Sequence, residues 1–380
     1  MRVLLAGGGT GGHIYPAIAI ADTIRKHDKY ADILFISTKR GMEKRLVENA
    51  GYQTYHIEMS GLQRSLSPKN LKTAICFITA PIKAKKLIKS FEPDVVVGTG
   101  GYLCWPLLHA AAKLGVPTLV HESNAIPGKA VKMLEAEVDT IAAGFDSIKG
   151  LISHPEKFIC TGNPLRFIPT SEEVSSVRAS LGIGKEYKYV LLSFGGSLGS
   201  EKINAAALRL MADFSSKHPE VLHVHSTGTG YYKDFSEKFS ALGLDAFKNI
   251  RPMEYIHDMT RWEAVADAVI CRSGAMTVSE MALGGKACIF IPSPNVVANH
   301  QFKNASRLAQ DGAAVVITEK QLTPELLSAA VEQVLFSSKG AELSRNIRKF
   351  AEPEAAEKLY GEIVRLASRD LLSLVGEDEE

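Results

Sequence analysis

Short apolar runs rich in β-branched residues recur along this chain at intervals long enough for one helix, and that rhythm limits the fold more than any other feature. In the first half the runs are RVLLA (2–6), ILFIS (33–37), VVVG (95–98), TLVH (118–121) and TIAA (140–143). Strands separated by helix-sized segments imply right-handed crossovers and a parallel sheet covered by helices on both faces. The polar stretch GNPLRFIPTSEEVSS (162–176) interrupts the rhythm, which restarts with YVLLSFGGSLGS (189–200), HVHSTG (223–228), AVICRSG (268–274), ACIFIP (287–292) and AAVVIT (313–318). The reading is α/β: two doubly wound, Rossmann-like domains over 1–163 and 164–350. The segment EPEAAEKLYGEIVRLASRDLL (352–372) has helical periodicity, so 351–380 is expected to supply a helix returning to the first domain and an acidic tail.

Each half begins alike, an apolar strand delivering a glycine turn and then a helix: LLAGGGTGG and LLSFGGSLG. A cleft between two such domains is the expected ligand site. Overall charge does not point to nucleic acid, since 44 basic residues stand against 42 acidic ones. Five scattered cysteines without a C-x-x-C pair argue against a disulfide framework and a zinc site, and a reducing cytoplasm suits them. No signal peptide precedes the first strand, and no apolar run approaches the roughly 18 residues of a membrane span.

Gly7, Gly9 and Gly12 satisfy the G-x-G-x-x-G spacing of a dinucleotide site, yet His13 follows where an uninterrupted helix would begin. A glycine turn brings backbone N–H groups close to any anionic ligand, so it does not choose among NAD, FAD and nucleotide sugars. The acid that would hold an NAD ribose at the end of the second strand is missing. There the sequence reads Ser37-Thr38-Lys39-Arg40, which either holds the 2′-phosphate of NADP or is a solvated loop. His13 either caps its helix or serves as a general base. In CRSGAMTVSE (271–280) a strand ends at a helix start suited to a diphosphate, and Thr277 and Glu280 share one helical face. The bland alternative is a cap and a solvent-facing glutamate. His300, Gln301 and Asn304 in PSPNVVANHQFKNA (292–305) suit sugar hydroxyls. No Asp-x-Asp pair offers a site for Mg²⁺, and neither metal nor cofactor is expected. Finally, LKTAICFITAPIKAKKLIKSF (71–91) interleaves Ile75, Phe77, Ile78, Ile82, Leu87 and Ile88 with Lys83, Lys85, Lys86 and Lys89, the pattern of a core-packing helix or of an interfacial one.

GGGTGGHIYP, GTGGYLCWP, HESNAIPGKA, GNPLR, GGSLGS, CRSGAMTVSE and NHQFKNA occur in order over about residues 1 to 365, and in this the chain resembles glycosyltransferase family 28. The resemblance implies a GT-B fold, two Rossmann-like domains facing across a cleft. It implies inverting transfer of GlcNAc from UDP-GlcNAc to the C4 hydroxyl of MurNAc in lipid I, an undecaprenyl-diphospho-MurNAc-pentapeptide, giving lipid II and UDP in peptidoglycan synthesis. It also implies that His13 is the base, that Thr10, Gly11 and Gly12 approach the donor sugar, and that Asn124 holds it. Arg166 and Ser197 would contact UDP, Ile256 would recognise uracil through its backbone, and Ala275, Met276 and Thr277 would line the diphosphate site. Glu280 would bind ribose, with Gln301 and His300 reading GlcNAc hydroxyls. A lipid acceptor gives 71–91 a reason to meet an anionic membrane surface at the cytoplasmic face, extended by Arg64, Lys69 and Lys72, and makes a wall-synthesis complex a possible partner. The chain departs from the family pattern at Cys104-Trp105, where small residues are usual, and at His257, where aspartate is. Rival readings are a UDP-GlcNAc 2-epimerase sharing the donor site, an NADP-dependent oxidoreductase, and a non-catalytic scaffold.

Overall fold

In the computed structural model the described residues are 1–59, 69–166, 172–196 and 198–369, with backbone alone for 69–74. The chain divides into two compact units, one running over Met1–Arg166 and resuming at Glu352, the other ending at Ala351. The sheet of the first unit has strands β1 (Arg2–Ala6), β2 (Asp32–Ser37), β3 (Gln53–His56), β4 (Val95–Gly98), β5 (Thr118–Glu122), β6 (Thr140–Ala143) and β7 (Phe158–Cys160). All pairs are parallel, in the order β3-β2-β1-β4-β5-β6-β7. Alternation along each strand feeds two cores. Leu4, Ile36, Val96 and Val120 pack with Ala80, Ala84, Leu107 and Leu108 on one face. Val3, Leu5, Phe35 and Val97 pack with Ile14, Ile18, Leu359 and Ile363 on the other. Burial on both faces is why these strands read as continuous apolar runs.

The Gly11–His27 helix holds Pro16, which removes the helical hydrogen bond to the Gly12 carbonyl. Against this helix lies the Ala355–Ala367 helix, whose Leu359, Ile363 and Leu366 are fully buried. Glu357 binds Lys26 at 2.8 Å and His27 at 2.7 Å, and Thr140 donates to Glu362 at 2.5 Å.

The second unit has a parallel sheet of β8 (Tyr189–Phe194), β9 (Val221–Ser226), β10 (Ile250–Met253), β11 (Ala268–Cys271), β12 (Ala287–Phe290) and β13 (Val315–Val316). Its order is β10-β9-β8-β11-β12-β13. Its main core joins Leu191, Ile270 and Ile289 to Leu210, Val331 and Leu343. Three strands carry no clear sequence signal: β3, β7 and β10. All are edges, and only one residue among them, Ile250, is buried, so none shows an apolar run. β10 even contains Pro252, which an edge tolerates because no second neighbour needs its N–H. AAVVIT, expected as a six-residue strand, contributes only Val315–Val316.

Among the described residues no helix is long and apolar enough to cross a membrane.

Candidate active site

In the first unit β1 and β4 are neighbours, while the chain continues from β1 to one side and from β4 to the other. Such a switch point opens a crevice beyond the carboxyl ends of the two strands. Two glycine loops fill it. The Gly8 N–H donates to the Gly100 carbonyl at 3.3 Å, and the Thr99 hydroxyl donates to the His13 carbonyl at 2.6 Å. A methyl group on Gly101, whose φ is +84°, would lie 2.0 Å from the Gly8 oxygen. The loops therefore touch backbone to backbone, which only glycine permits.

His13 stands at the start of the Gly11–His27 helix, partly accessible, its Nδ1 3.1 Å from the Thr99 carbonyl. Nδ1–H must donate to that oxygen, which leaves the Nε2 lone pair available. Gly100, with φ +106°, admits the ring: a methyl there would lie 2.4 Å from Nδ1. Burial pulls the imidazole pKa below its ordinary value, opposed by the Thr99 carbonyl. Burial thus favours the neutral ring. Thr10 precedes this helix in extended backbone, and neither a side-chain cap nor an acidic residue in the first turn satisfies its N-terminus. Gly11 and Gly12 form that first turn. Asn124 follows β5 and is tied by its N–H (2.9 Å) and side-chain amide (3.0 Å) to buried Glu122. Arg166 lies in this unit, 3.5 Å from Asp22 of the Gly11–His27 helix.

After β2 the exposed Lys39-Arg40 pair adjoins a buried carboxylate. Glu43 accepts from Thr38 N–H (3.0 Å), Thr38 Oγ1 (2.6 Å) and Tyr102 Oη (3.1 Å). Burial alone would raise its pKa, but these donors hold it below the ordinary carboxylate range. A fixed negative charge beside this loop opposes a 2′-phosphate, which argues against the NADP alternative. Cys104 is buried, donating to the Gly100 and Ala6 carbonyls at 2.9 and 3.1 Å, while Trp105 stacks between Phe77 and His109. This departure from the family pattern therefore braces the second glycine loop from beneath.

In the second unit the glycine turn after β8 is satisfied from within. Ser200 caps the Glu201–Asp213 helix, accepting from the Ile203 N–H at 3.4 Å. Ser197 lies outside the described residues. Arg272 binds Ser200 Oγ (2.6 Å), the Ile291 carbonyl (2.9 Å) and Glu319 (2.5 Å), joining three loops. By contrast, the Ala275–Gly284 helix begins after Gly274 with no side-chain cap and no acidic residue in its first turn. Met276 and Thr277 are half-buried there and Ala275 is buried. One turn further on is Glu280, pushed up to about 7 by burial. Glu263, from the adjacent Met259–Val265 helix, is pushed up to about 8 by burial and secondarily by the Glu280 charge.

Gln301 is brought to the same strand end. Its carbonyl accepts from Ser273 Oγ at 2.8 Å, and its Oε1 accepts from the Ser293 N–H at 2.8 Å. Asn304 donates to the Ser273 carbonyl at 3.2 Å. His300 is only partly buried, its Nδ1 2.9 Å from the Val297 carbonyl, and it follows Ala298 and Asn299, both at φ +53°. Two successive left-handed non-glycine residues are strained, as is common at ligand sites. Ile256 is buried in the loop after β10, just beyond Met253 and Glu254, whose carbonyls each accept at 3.0 Å from Thr227 and Gly228.

Sequence reasoning passed over Thr99, Gly100, Arg272 and Glu263. An arginine directly before Ser273-Gly274 was the available signal, since a charged residue at a buried strand end needs partners. Glu263 carried none, because only the packing of its helix brings it near Glu280.

The Glycosyltransferase family 28 N-terminal domain matches residues 3–143, and the Glycosyltransferase family 28 C-terminal domain matches residues 190–359. The chain belongs to glycosyltransferase family 28. Relatives in the family include the UDP-N-acetylglucosamine--N-acetylmuramyl-(pentapeptide) pyrophosphoryl-undecaprenol N-acetylglucosamine transferase of Thermoanaerobacter sp. (strain X514), 40% identical over 361 residues, covering 95% of this chain and 98% of that one. The protein of the same name from Bacillus licheniformis is 37% identical over 372 residues, covering 96% and 99%. Among solved structures, Acinetobacter baumannii MurG matches with a TM-score of 0.72 at 26% identity, covering 96% of this chain and 99% of that one. The two parallel-sheet units are those of the GT-B fold. A UDP-GlcNAc 2-epimerase from Neisseria meningitidis shares that fold alone, with a TM-score of 0.66 at 12% identity over 96% of this chain and 100% of the other.

Proposed function

We propose that this family 28 enzyme transfers GlcNAc from UDP-GlcNAc to the C4 hydroxyl of MurNAc in lipid I, releasing UDP and lipid II for peptidoglycan synthesis. The observation that carries the mechanism is the His13 Nδ1 held 3.1 Å from the Thr99 carbonyl, which commits Nδ1–H to that oxygen and leaves the Nε2 lone pair to accept a proton. Inverting transfer needs a base for the acceptor hydroxyl, and His13 serves as that base. Thr10, Gly11 and Gly12 approach the donor sugar, and Asn124, pinned by Glu122, holds it.

Charge develops on the departing diphosphate, and backbone N–H groups at Ala275, Met276 and Thr277 meet it at an uncapped helix start. Glu280 accepts the ribose hydroxyls, Ile256 pairs with uracil through its backbone, and Arg166 and Ser197 contact UDP. Gln301 and His300 read GlcNAc hydroxyls.

The acceptor is a lipid, and the enzyme works peripherally at the cytoplasmic face of the membrane. Support comes from the Lys69–Phe91 helix, whose two faces divide the earlier reading. Cys76, Ala80, Ala84, Leu87 and Ile88 are core, whereas Ile75, Ile78 and Ile82 are 55%, 72% and 66% exposed along one stripe. Lys83, Lys85, Lys86 and Lys89 are exposed on the next turns. Apolar side chains beside lysines suit anionic lipid. Arg64 lies outside the described residues, as do the side chains of Lys69 and Lys72.

The test is product analysis with UDP-GlcNAc and a short-chain lipid I analogue in detergent, without added metal. A β-1,4-linked disaccharide lipid with stoichiometric UDP is expected. UDP-GlcNAc bound and epimerised at C2, with no disaccharide, would instead make the enzyme a UDP-GlcNAc 2-epimerase.

A further inference from the structure

Beneath the second glycine turn lies a polar chain that the proposed chemistry leaves unused. His223 and His225 sit on one face of β9, and β8 places Ser193 opposite His225 in register. All three are fully buried, as are Ser215 and Thr227, and Asn204 is nearly so. Five hydrogen bonds link them: Ser215 Oγ with His223 Nδ1 (2.9 Å), His223 Nε2 with Ser193 Oγ (2.9 Å), Ser193 Oγ with His225 Nδ1 (2.8 Å), His225 Nε2 with Asn204 Oδ1 (3.2 Å), and Asn204 Nδ2 with the Thr227 carbonyl (2.9 Å).

One atom fixes the direction of all five. The Thr227 carbonyl can only accept, so Asn204 must turn its amide NH₂ to it and its oxygen to His225. His225 must then carry its proton on Nε2, so the Ser193 hydroxyl donates to Nδ1. Ser193 consequently accepts from His223 Nε2–H, and Ser215 donates to His223 Nδ1. Both rings are neutral and share one tautomer, and burial pushes them down to about 3 (His223) and about 4 (His225).

The chain ends where the donor loops meet. Gly199 packs so tightly on Thr227 that a methyl group would lie 2.0 Å from the Thr227 oxygen. The Thr227 N–H donates to Met253 and the Gly228 N–H to Glu254, at the start of the loop that holds Ile256. Thr227 is thus a hub between the glycine turn and that loop.

We infer that His225 is a positioning residue for UDP binding: its Nε2–H orients Asn204, which holds Thr227 and through it both loops. The inference rests on the second unit being the UDP site. Ser193 enforces the tautomer against a competitor, its own carbonyl, 3.1 Å from His225 Nδ1. Removing the hydroxyl lets Nδ1–H form toward that carbonyl, leaving a bare Nε2 against the Asn204 oxygen.

Ser193→Ala and His225→Phe are therefore expected to weaken UDP binding in titration calorimetry about tenfold and raise the KM for UDP-GlcNAc alike, with kcat and the acceptor KM within about twofold. His225→Gln, which keeps a donor near Asn204, should recover part of the loss. Long-range ¹H–¹⁵N spectra should show the His223 and His225 rings as Nε2–H in wild type and the His225 ring changed to Nδ1–H in Ser193→Ala. Unchanged UDP affinity in folded Ser193→Ala would overturn the inference even if His225→Phe fails to fold. Wild type that binds UDP no better than other nucleotides would break the underlying assignment of the donor site, and the inference with it.

Discussion

The first and second units open with the same strand, glycine turn and helix, yet they satisfy their helix starts in opposite ways. Ser200 caps the helix after β8, Glu201 supplies a negative charge to its first turn, and Arg272 locks the cap in place. The helix after β1 has neither cap nor acid, and neither has the Ala275–Gly284 helix further along the second unit. Unsatisfied N–H groups cost free energy unless solvent or a ligand meets them, so the open starts mark where an anion or a sugar can be received. A glycine turn by itself does not make a ligand site. What distinguishes the helix starts is whether the protein has already used them for itself, as at Ser200, or left them open, as after Thr10 and Gly274.

Substitutions can break this contrast in graded ways. The largest effect is expected from the first turn: His13→Ala should lower kcat by about 10² to 10⁴ while leaving the KM for UDP-GlcNAc nearly unchanged. Gly100→Ala should follow it, because the methyl would collide with the His13 ring at a φ of +106°, and a kcat loss with near-normal UDP binding would confirm displacement of the base. In the second unit the loss should fall on donor affinity. Glu280→Gln is expected to raise the KM for UDP-GlcNAc about tenfold or more, since hydrogen bonds to a charged group contribute about 1.5–3 kcal/mol.

Glu280 also makes a pH prediction. Its pKa rises from 4.5 to about 7 on folding, so the folded state holds the proton more tightly. The favourable contribution is full below pH 4.5 and is lost as pH climbs through about 7. Stability should fall over that window, whereas donor KM should improve as the carboxylate ionises. Denaturant titrations and initial rates from pH 5 to 8 would check both slopes; Glu280→Gln should flatten that of KM and lessen that of stability, the remainder belonging to Glu263, itself pushed up to about 8.

A smaller change is expected at the surface. Replacing exposed Ile78 and Ile82 by serine should weaken binding to anionic vesicles roughly tenfold while shifting stability within about 0.5 kcal/mol. The smallest effect belongs to the closed helix start: Glu201→Gln should leave both KM values and kcat alone. A large change there would show that ligand reaches the capped helix start itself and not only the turn before it.

The central strands were legible because burial on both faces makes them continuous apolar runs, and the glycine turns because close backbone approach excludes other residues. The edge strands were not: Gln53–His56 is half-exposed and carries no run, and Pro252 argues against a strand until its edge position is known. At the candidate site, the helix starts that hold His13 and CRSGAMTVSE could be read locally. The Thr99 carbonyl that fixes the His13 tautomer lies 86 positions away, and Arg272 finds Glu319 across 47. Contacts of that separation are made by topology and leave no spacing in the sequence. The 71–91 segment was readable only in part, because pattern alone could not divide its apolar residues between core and surface.

The Ala355–Ala367 helix packs with Ile14 and Ile18 of the first helix, so the first unit is completed by a segment that follows the whole of the second. On the ribosome, the nascent first unit must wait through the whole of the second with part of one apolar face uncovered. A ribosome that stops near residue 350 releases a chain whose first unit lacks Leu359, Ile363 and Leu366 from its core even though every strand is present. Closure of the first unit thus reports that translation has passed through the second.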